Sequence, residues 1–254
     1  MSGALAVLVA GSGDPVTVAA HGLGASVAET RPLLGGVTGT RVLYEARGHG
    51  ASPLPDGPFD YRVLGNDLEQ VADAHGATRA LGVSMGAGAL LSLLARRPER
   101  FERVVLFLPA AIDRPRTDEA VRRVAGLARA LDAGDADAVE RLVLEELPED
   151  LRDQPAVVAY ALTRASYLRA SPGVAVALRA LPDVTPVDDR SRLSAVSADV
   201  LLLAQEGDPL HPSQVARDLA AVLPRARLVV FDRPGVVFRE RSRLRAEVTA
   251  FLND

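Results

Sequence analysis

The hydrophobic positions of this chain fall into two alternating patterns. Short runs rich in Val, Leu and Ala are bounded by Gly, Pro, Asp and Arg, and each run has the length of a β-strand. Between several of them, apolar residues recur three and four positions apart, as on the buried side of a helix. The runs predict strands at 5–10, 16–20, 40–46, 79–84, 103–108, 199–204 and 227–231. The spacing predicts helices over 61–75, 85–96, 213–223 and 239–252.

The alternation of strands and helices defines the fold class. Strands that are apolar along their whole length are buried on both faces, which is typical of parallel sheets covered by helices. In the last predicted helix, Leu244, Val248, Phe251 and Leu252 share one face, and the arginines occupy the other. We therefore predict an α/β fold with a mostly parallel central sheet and helices on both faces.

The first two predicted strands are separated only by "GSGDP" (11–15). Gly, Asp and Pro are turn formers, so this segment predicts a hairpin between the two strands. A glycine-rich loop that binds phosphate joins a strand to a helix instead. Because this segment joins two strands, it does not indicate a phosphate-binding site.

Residues 113–185 interrupt the alternation, because they are rich in Ala, Arg and Asp and contain no clear strand. Turn formers open and close the segment. In open α/β sheets, ligands bind beyond the carboxyl ends of the strands, so a helical insertion there is placed to cover a site. We predict an α/β core formed by 1–112 and 186–254, with a helical cap at 113–185. The alternative is a helical bundle that packs elsewhere.

Composition excludes several classes of partner. All 29 basic residues are Arg, they are dispersed among 33 acidic residues, and the net charge is −4, so no basic patch predicts binding of nucleic acid or of a membrane surface. The chain has no cysteine, which excludes disulfides and a cysteine nucleophile. No metal-ligand spacing occurs, and we predict neither a metal nor a cofactor. The N-terminal apolar run lacks a basic start and predicts a strand rather than a signal peptide, so the expected location is the cytoplasm.

The strongest chemical motif is "GVSMG" (82–86), between a predicted strand and a predicted helix. The pattern G-x-S-x-G in this context is a nucleophile elbow, in which a sharp turn presents the serine hydroxyl to a pocket. Glycine is needed on both sides because the strand and the helix approach closely. The motif predicts Ser84 as a nucleophile. The alternative is a glycine-rich turn with an incidental serine.

A second motif, "HGLGAS" (21–26), follows an earlier strand. The backbone N–H groups of Leu23 and Met85 can together bind the negative oxygen of a tetrahedral intermediate, as an oxyanion hole does. His21 is then expected to shape the loop through hydrogen bonds. The less favoured alternative makes His21 a catalytic base.

These motifs and two others resemble those of the α/β-hydrolase superfamily with a helical cap. The resemblance implies that Asp208 is the acid of a catalytic triad, although it also fits a helix-capping aspartate. A serine at position 84 argues against the dehalogenase and epoxide hydrolase branches, whose nucleophile is a carboxylate. Glu45 departs from the family's usual aspartate. The resemblance covers nearly the whole chain through "HGLGAS" (21–26), "EARGHGAS" (45–52), "GVSMGAG" (82–88) and "AQEGDPLHP" (204–212).

The family's catalytic histidine is missing from its usual place after the last strand. There the chain has Val236 and Val237, and no histidine occurs after His211. His211 could act as a relocated base, although a histidine at this position is common in the family beside the usual base. Glu240 is a conceivable carboxylate base, and its expected place is the solvated face of the last helix.

Three functions remain open at this point. The first is a serine hydrolase that cleaves small apolar esters, thioesters or lactones with an unusual base. The second is a catalytically silent homologue that binds a small ligand or a partner, and the third is a lyase or isomerase that uses the oxyanion hole alone. In the cap, Tyr160 and Tyr167 share a helix face, where they either pack in the core or line the substrate pocket.

Overall fold

The computed structural model describes residues 3–54 and 57–254. Seven strands of this part of the chain form one sheet in the order β1-β3-β2-β4-β5-β6-β7. All neighbouring pairs are parallel except β1 with β3, which confirms the mostly parallel sheet. The strands are β1 (Val7–Ala10), β2 (Val16–Ala20), β3 (Thr40–Tyr44), β4 (Arg79–Val83), β5 (Arg103–Phe107), β6 (Asp199–Gln205) and β7 (Ala226–Phe231).

The hairpin predicted at "GSGDP" is wrong. The chain does reverse there, since β1 runs antiparallel and β2 parallel to β3, but β3 lies between the other two. The backbone N–H of Thr40, which begins β3, donates to the carbonyls of Gly13 and Pro15 at 2.9 and 3.1 Å. The turn segment therefore pairs with the incoming third strand, and β1 becomes the edge of the sheet.

Helices occupy both faces of the sheet and the segment between β5 and β6. The helices predicted over 61–75, 85–96, 213–223 and 239–252 agree with the structure to within two residues, and a further short helix precedes the last of them. The helices are α1 (Val27–Thr30), α2 (Tyr61–Ala74), α3 (Met85–Leu94), α4 (Asp118–Asp132), α5 (Ala136–Glu145), α6 (Pro155–Ala170), α7 (Pro172–Ala180), α8 (Ser213–Val222), α9 (Val236–Arg239) and α10 (Arg241–Asn253).

Alternate residues of each central strand enter different cores. In β4, Ala80 belongs to one buried cluster with residues of α2, α3 and α8. Its neighbour Leu81 belongs to a second cluster, which includes Leu244, Val248 and Leu252 of α10. Successive side chains of a strand point to opposite faces, so the apolar runs supply both cores. Helices on both faces are thereby confirmed.

Helices α4 to α7 form a third buried cluster that includes Val124, Val139 and Leu168. The segment also contacts the loop after β2: Leu23 packs against this cluster, and the guanidinium of Arg164 donates to the carbonyl of Leu23 at 3.3 Å. The inserted helices thus lie beside the carboxyl end of the sheet. None of the helices in residues 3–54 and 57–254 is long and apolar enough to cross a membrane.

Candidate active site

Ser84 occupies a sharp bend between β4 and α3. Its backbone has φ 48° and ψ −99°, a conformation that residues with a side chain rarely adopt. A Cβ on Gly82 would lie 2.5 Å from the carbonyl carbon of Gly86, and a Cβ on Gly86 would overlap the carbonyl oxygen of Ala20. The two glycines therefore permit the close approach of strand, bend and helix.

Hydrogen bonds fix this bend to its neighbours. The N–H of Ser84 donates to Phe107 at the end of β5, at 2.9 Å, and the N–H of Gly86 donates to the carbonyl of His21 at 3.1 Å. The second bond ties the loop after β2 to the start of α3. As a result, a Cβ on Gly22 would lie 3.6 Å from the Cβ of Ser84, so the "HGLG" loop lies directly beside the serine.

The structure brings His211 to the serine. Nε2 of His211 lies 2.9 Å from Oγ of Ser84, and Nδ1 lies 2.9 Å from Oδ2 of Asp208. Both distances are those of hydrogen bonds. If Asp208 is ionised it accepts from Nδ1–H, which leaves Nε2 to accept the hydroxyl proton of Ser84. The three side chains thus have the connectivity of a nucleophile, a base and an orienting acid.

The other proposed bases lie elsewhere. Glu240 accepts from Arg243 at 2.8 Å and does not line the cavity that contains Ser84. His75 follows the last residue of α2 as its C-terminal cap. Among the four histidines, His211 is therefore the one placed to exchange a proton with the serine.

Asp208 is held by main-chain and side-chain donors. The N–H groups of Leu210 and His211 donate to Oδ1 at 2.9 and 3.1 Å. Nε2 of Gln205 donates to Oδ2 at 2.7 Å. Burial of the carboxyl raises its pKa, but the charge of His211 and these hydrogen bonds outweigh burial, and the pKa of Asp208 lies well below its usual value. Asp208 is therefore ionised near neutral pH.

Gln205 connects Asp208 to the start of the short helix α9. Its Oε1 accepts the N–H of Val236 at 3.0 Å, while its amide nitrogen donates to Asp208. Val236 is buried and packs in the cluster with α10. One side chain thus links the carboxylate of Asp208 to the backbone of Val236. Sequence reasoning missed this residue, although its position at the end of β6, shortly before Asp208, marks the carboxyl edge of the sheet.

The amides of Leu23 and Met85 are free to bind a ligand. The amide that follows each of them already has a partner: the N–H of Gly24 donates to the ring of His49, and the N–H of Gly86 donates to the carbonyl of His21. Within the described ranges, no hydrogen bond of the chain uses the N–H of Leu23 or of Met85, which is the first residue of α3. The helix N-terminus adds a favourable dipole for negative charge there.

His21 fixes the peptide that carries the Leu23 N–H. Its Nε2 accepts from Ala46 at 2.9 Å, so its Nδ1 bears the proton and donates to the carbonyl of Gly22 at 2.7 Å. Nε2 also lies 3.4 Å from Glu45, but since this nitrogen accepts a hydrogen bond, we interpret the contact as neutral rather than as an ion pair. The ring of His21 therefore orients the loop through its bonds to Gly22 and Ala46, whereas the ring that bonds to the serine hydroxyl is that of His211.

His49 orients the next peptide in the same way. Its Nε2 accepts from Gly24 at 3.0 Å, and its Nδ1 donates to the carbonyl of Arg47 at 3.0 Å. The rings of His21 and His49 are 4.9 Å apart. Burial lowers the pKa of His21 to about 4. Burial, and then the proximity of His21, lower the pKa of His49 to about 3.

We expect His21 and His49, two of the four histidines, to stay neutral down to pH 5. Protonation would place a charge in a buried site and remove the acceptor of the Ala46 or Gly24 amide. Imidazole nitrogen shifts in an NMR titration measure this, with His75→Asn as the control that removes a partly exposed histidine. Titration of His21 or His49 near pH 6.5 would contradict the assigned hydrogen bonds.

The lowered pKa values of His21 and His49 also make the stability of the fold depend on pH. Below about pH 6.5, His21 and His49 bind protons in the unfolded chain but stay neutral in the folded protein. Each histidine therefore lowers the free energy of unfolding as the pH falls from about 6.5 towards its folded pKa. The loss is about 1.4 kcal/mol per pH unit at full effect. For His21 this window ends at about 4. Glu45 acts in the opposite direction, because burial raises its pKa.

A cavity of about 1080 Å³ opens above the serine. Its walls include residues at or after the carboxyl ends of β2, β4, β5, β6 and β7, together with residues of the inserted helix α6. Tyr160 and Tyr167 both line it. The hydroxyl of Tyr160 donates to Glu29 at 2.6 Å, and that of Tyr167 donates to Glu45 at 3.4 Å. Of the two placements left open for these tyrosines, the structure has them in the cavity wall.

Metal binding has no support among the residues that the structure describes. No group of three or more His, Asp or Glu side chains there is arranged to hold a metal ion.

Comparisons with known proteins identify the family and the fold. A family model described as the α/β-hydrolase fold matches residues 15–235. The chain is 28% identical over 225 residues to a Caulobacter segnis protein named as a carbamate hydrolase, RutD; the match covers 85% of this chain and 82% of that protein. A hydrolase from Pseudomonas aeruginosa PA01 superposes with a TM-score of 0.78 at 26% identity, covering 98% and 94% of the two chains. The enol-lactonase from Burkholderia xenovorans LB400 superposes with a TM-score of 0.81 at 23% identity, covering 98% and 96%.

Proposed function

The chain belongs to the α/β-hydrolase fold family, and from this premise we propose that it is a serine hydrolase of small esters, thioesters or lactones. Ser84 is the nucleophile, His211 the base and Asp208 the orienting acid. The observation that carries this proposal is the pair of 2.9 Å distances from His211, one to Ser84 and one to Asp208. In this proposal the base lies in the same loop as the acid, three residues after Asp208. Val236 stands where the family usually has its catalytic histidine.

Each proton in the reaction has a place. As Oγ of Ser84 attacks the carbonyl carbon, its proton passes to Nε2 of His211, and the carboxylate of Asp208 stabilises the imidazolium. The bond to the leaving alcohol or thiol then breaks, and the leaving group takes that proton. Water attacks the acyl-serine, gives a proton to Nε2, and the product acid leaves as Ser84 regains its proton.

The negative oxygen of each tetrahedral intermediate would accept from the N–H groups of Leu23 and Met85. Both amides are without a partner in the described chain, and the peptide of Leu23 is fixed through the bond from His21 to Gly22. Such preorganised donors are worth roughly 3 kcal/mol each in the transition state, because they need no rearrangement when charge develops.

The substrate class follows from the size and lining of the cavity. Its volume suits a small molecule, and Leu23, Val83, Leu108 and Val237 supply apolar wall. The Caulobacter segnis relative is named as a carbamate hydrolase, and a carbamate, like an ester, carries its leaving group on a carbonyl carbon. We propose that helices α4–α7, within the segment 113–185, form a cap over this cavity, with Tyr160 and Tyr167 contacting the substrate from α6.

A fluorophosphonate probe tests the nucleophile directly. We expect one covalent adduct on the wild-type chain, mapped to Ser84 by mass spectrometry of tryptic peptides, because the reagent traps a serine whose proton a neighbouring base removes. Ser84→Ala should carry no adduct, and Ser92→Ala, which alters a buried serine of the same helix, should be labelled like wild type.

Absence of labelling at every pH would favour the catalytically silent homologue. Ester turnover that survives in Ser84→Ala would favour chemistry through the oxyanion hole without an acyl-enzyme, as in a lyase or isomerase. Either result would overturn the serine hydrolase.

A further inference from the structure

One charged side chain of the cavity wall is left unused by the proposed reaction. Glu146 follows the last residue of α5, lines the cavity with Ser84 and His211, and is 19% exposed there. Its nearest cation is Arg164, at 3.8 Å, which is beyond hydrogen-bonding distance. Within residues 3–54 and 57–254, no hydrogen bond reaches its carboxylate. A carboxylate in a cavity wall is thus open to a ligand.

Arg164 is already engaged by other groups. Its guanidinium donates to Glu29 at 3.1 Å, to the carbonyl of Leu23 at 3.3 Å and, more weakly, to the hydroxyl of Tyr160 at 3.5 Å. These contacts connect α6 to α1 and to the loop after β2 that carries the N–H of Leu23. Arg164 therefore serves the structure of the site, and Glu146 receives only part of its charge.

The group around Glu146 has a local excess of negative charge, because Glu29 and Glu146 share one guanidinium, that of Arg164. Over its whole described lining the cavity has six carboxylates and five guanidiniums. The carboxylates of Glu29, Glu146 and Asp208 line this cavity, and Arg164 is the one guanidinium of the described chain in ion-pair contact with any of them. Burial raises the pKa of Glu146, and the positive charge of Arg164 opposes this. Glu146 lines the same cavity as Asp208 and His211. A cationic ligand would relieve this excess of negative charge, whereas an anionic one would add to it.

We propose that the substrate carries a cationic amino group on its acyl part, and that Glu146 binds that group. Glu146 is then a specificity-determining residue, which selects amino-acyl substrates over neutral or anionic acyl groups of equal size. This inference rests on the proposed function, because it assigns the acyl group that Ser84 would accept.

Matched 4-nitrophenyl esters separate charge from size. The 3-aminopropanoate ester carries an ammonium group where the butanoate ester carries a methyl group, and the monosuccinate ester carries a carboxylate. At pH 7 we expect wild-type kcat/KM to be highest for the 3-aminopropanoate ester and lowest for the monosuccinate ester. In Glu146→Gln the first value should fall about tenfold or more, since a desolvated charge pair loses one partner. The butanoate value should stay within about twofold, since uncharged contacts are kept.

Glu140→Gln is the matched control, because it makes the same change on α5 at a residue that pairs with Arg169 outside the cavity. Its profile should equal that of wild type. Equal kcat/KM for the ammonium and butanoate esters in wild type, or an equal loss of both in Glu146→Gln, would overturn the assignment of Glu146.

A binding experiment keeps this inference separate from the proposed reaction. In the Ser84→Ala background, calorimetry should show tighter binding of 3-aminopropanamide than of butanamide, and Glu146→Gln should remove the difference. If wild type turns over no ester but this difference in binding is found, the serine hydrolase fails and the amine site stands. If esters are turned over without any preference for the amine, the amine site fails alone.

Discussion

Replacement of His211 by Gln is expected to lower kcat for 4-nitrophenyl esters by at least about a thousandfold, with little change in KM. Glutamine retains bulk and hydrogen bonding but cannot take a proton from Ser84. The proton must then pass to water, and the oxyanion hole and substrate contacts supply the remaining rate. Steady-state kinetics at pH 7 to 8 measure both constants, and circular dichroism checks that the variant is folded.

His75→Gln is the matched control, because it removes a histidine at the end of α2, outside the cavity. It should leave kcat unchanged. Activity of His211→Gln close to wild type would show that another group removes the proton, and the assignment of His211 as base would fail. Fluorophosphonate labelling of His211→Gln should be slowed together with ester turnover, since both need the same proton transfer.

The fold was accessible from the sequence because its determinants are local and repeated. Apolar runs of strand length supply residues to both faces of the sheet, as Ala80 and Leu81 do, and helices follow most of them. The order of β1 and β2 was not accessible in this way. Turn residues specify that the chain reverses at "GSGDP", but whether β3 inserts between two strands depends on pairing energies over the whole edge of the sheet.

The residues of the candidate site likewise divide into those that local motifs predict and those whose contacts depend on the tertiary fold. Ser84, Leu23 and Met85 could be proposed from short motifs, because each depends on a bend of a few residues. His211 stands three positions from Asp208 but 127 from Ser84, so its contact with the serine depends on how β4 and β6 are placed in the sheet. The sequence left its role open for that reason.

Two residues of the site were not proposed from the sequence. The side chain of Gln205 reaches both Asp208 and the backbone of Val236. Glu146, at the end of α5, lines the same cavity as Ser84. Both relations join segments that are distant in sequence. They became visible only when the loops at the carboxyl end of the sheet were placed together.

Ser84→Gly is expected to abolish ester turnover and, at the same time, to leave the protein about 1 kcal/mol more stable than Ser84→Ala. Both variants lose the nucleophile and the hydrogen bond to His211, so their difference isolates the backbone. At φ 48° and ψ −99° an alanine keeps the steric strain of the serine, whereas glycine adopts this region freely. The relief of strain exceeds the extra entropy of glycine in the unfolded chain, and urea denaturation of the two variants measures the difference.

Ala95→Gly sets the reference for that comparison. Ala95 follows α3 with φ −63° and ψ −20°, an ordinary conformation, so glycine there should lower the free energy of unfolding by about 0.5 to 1 kcal/mol. If glycine in place of alanine instead raises the free energy of unfolding at position 84, the bend holds this residue in a strained backbone conformation. If Ser84→Gly were instead less stable than Ser84→Ala, the backbone at this position would be relaxed, and the nucleophile elbow from which the catalytic roles are inferred would be absent.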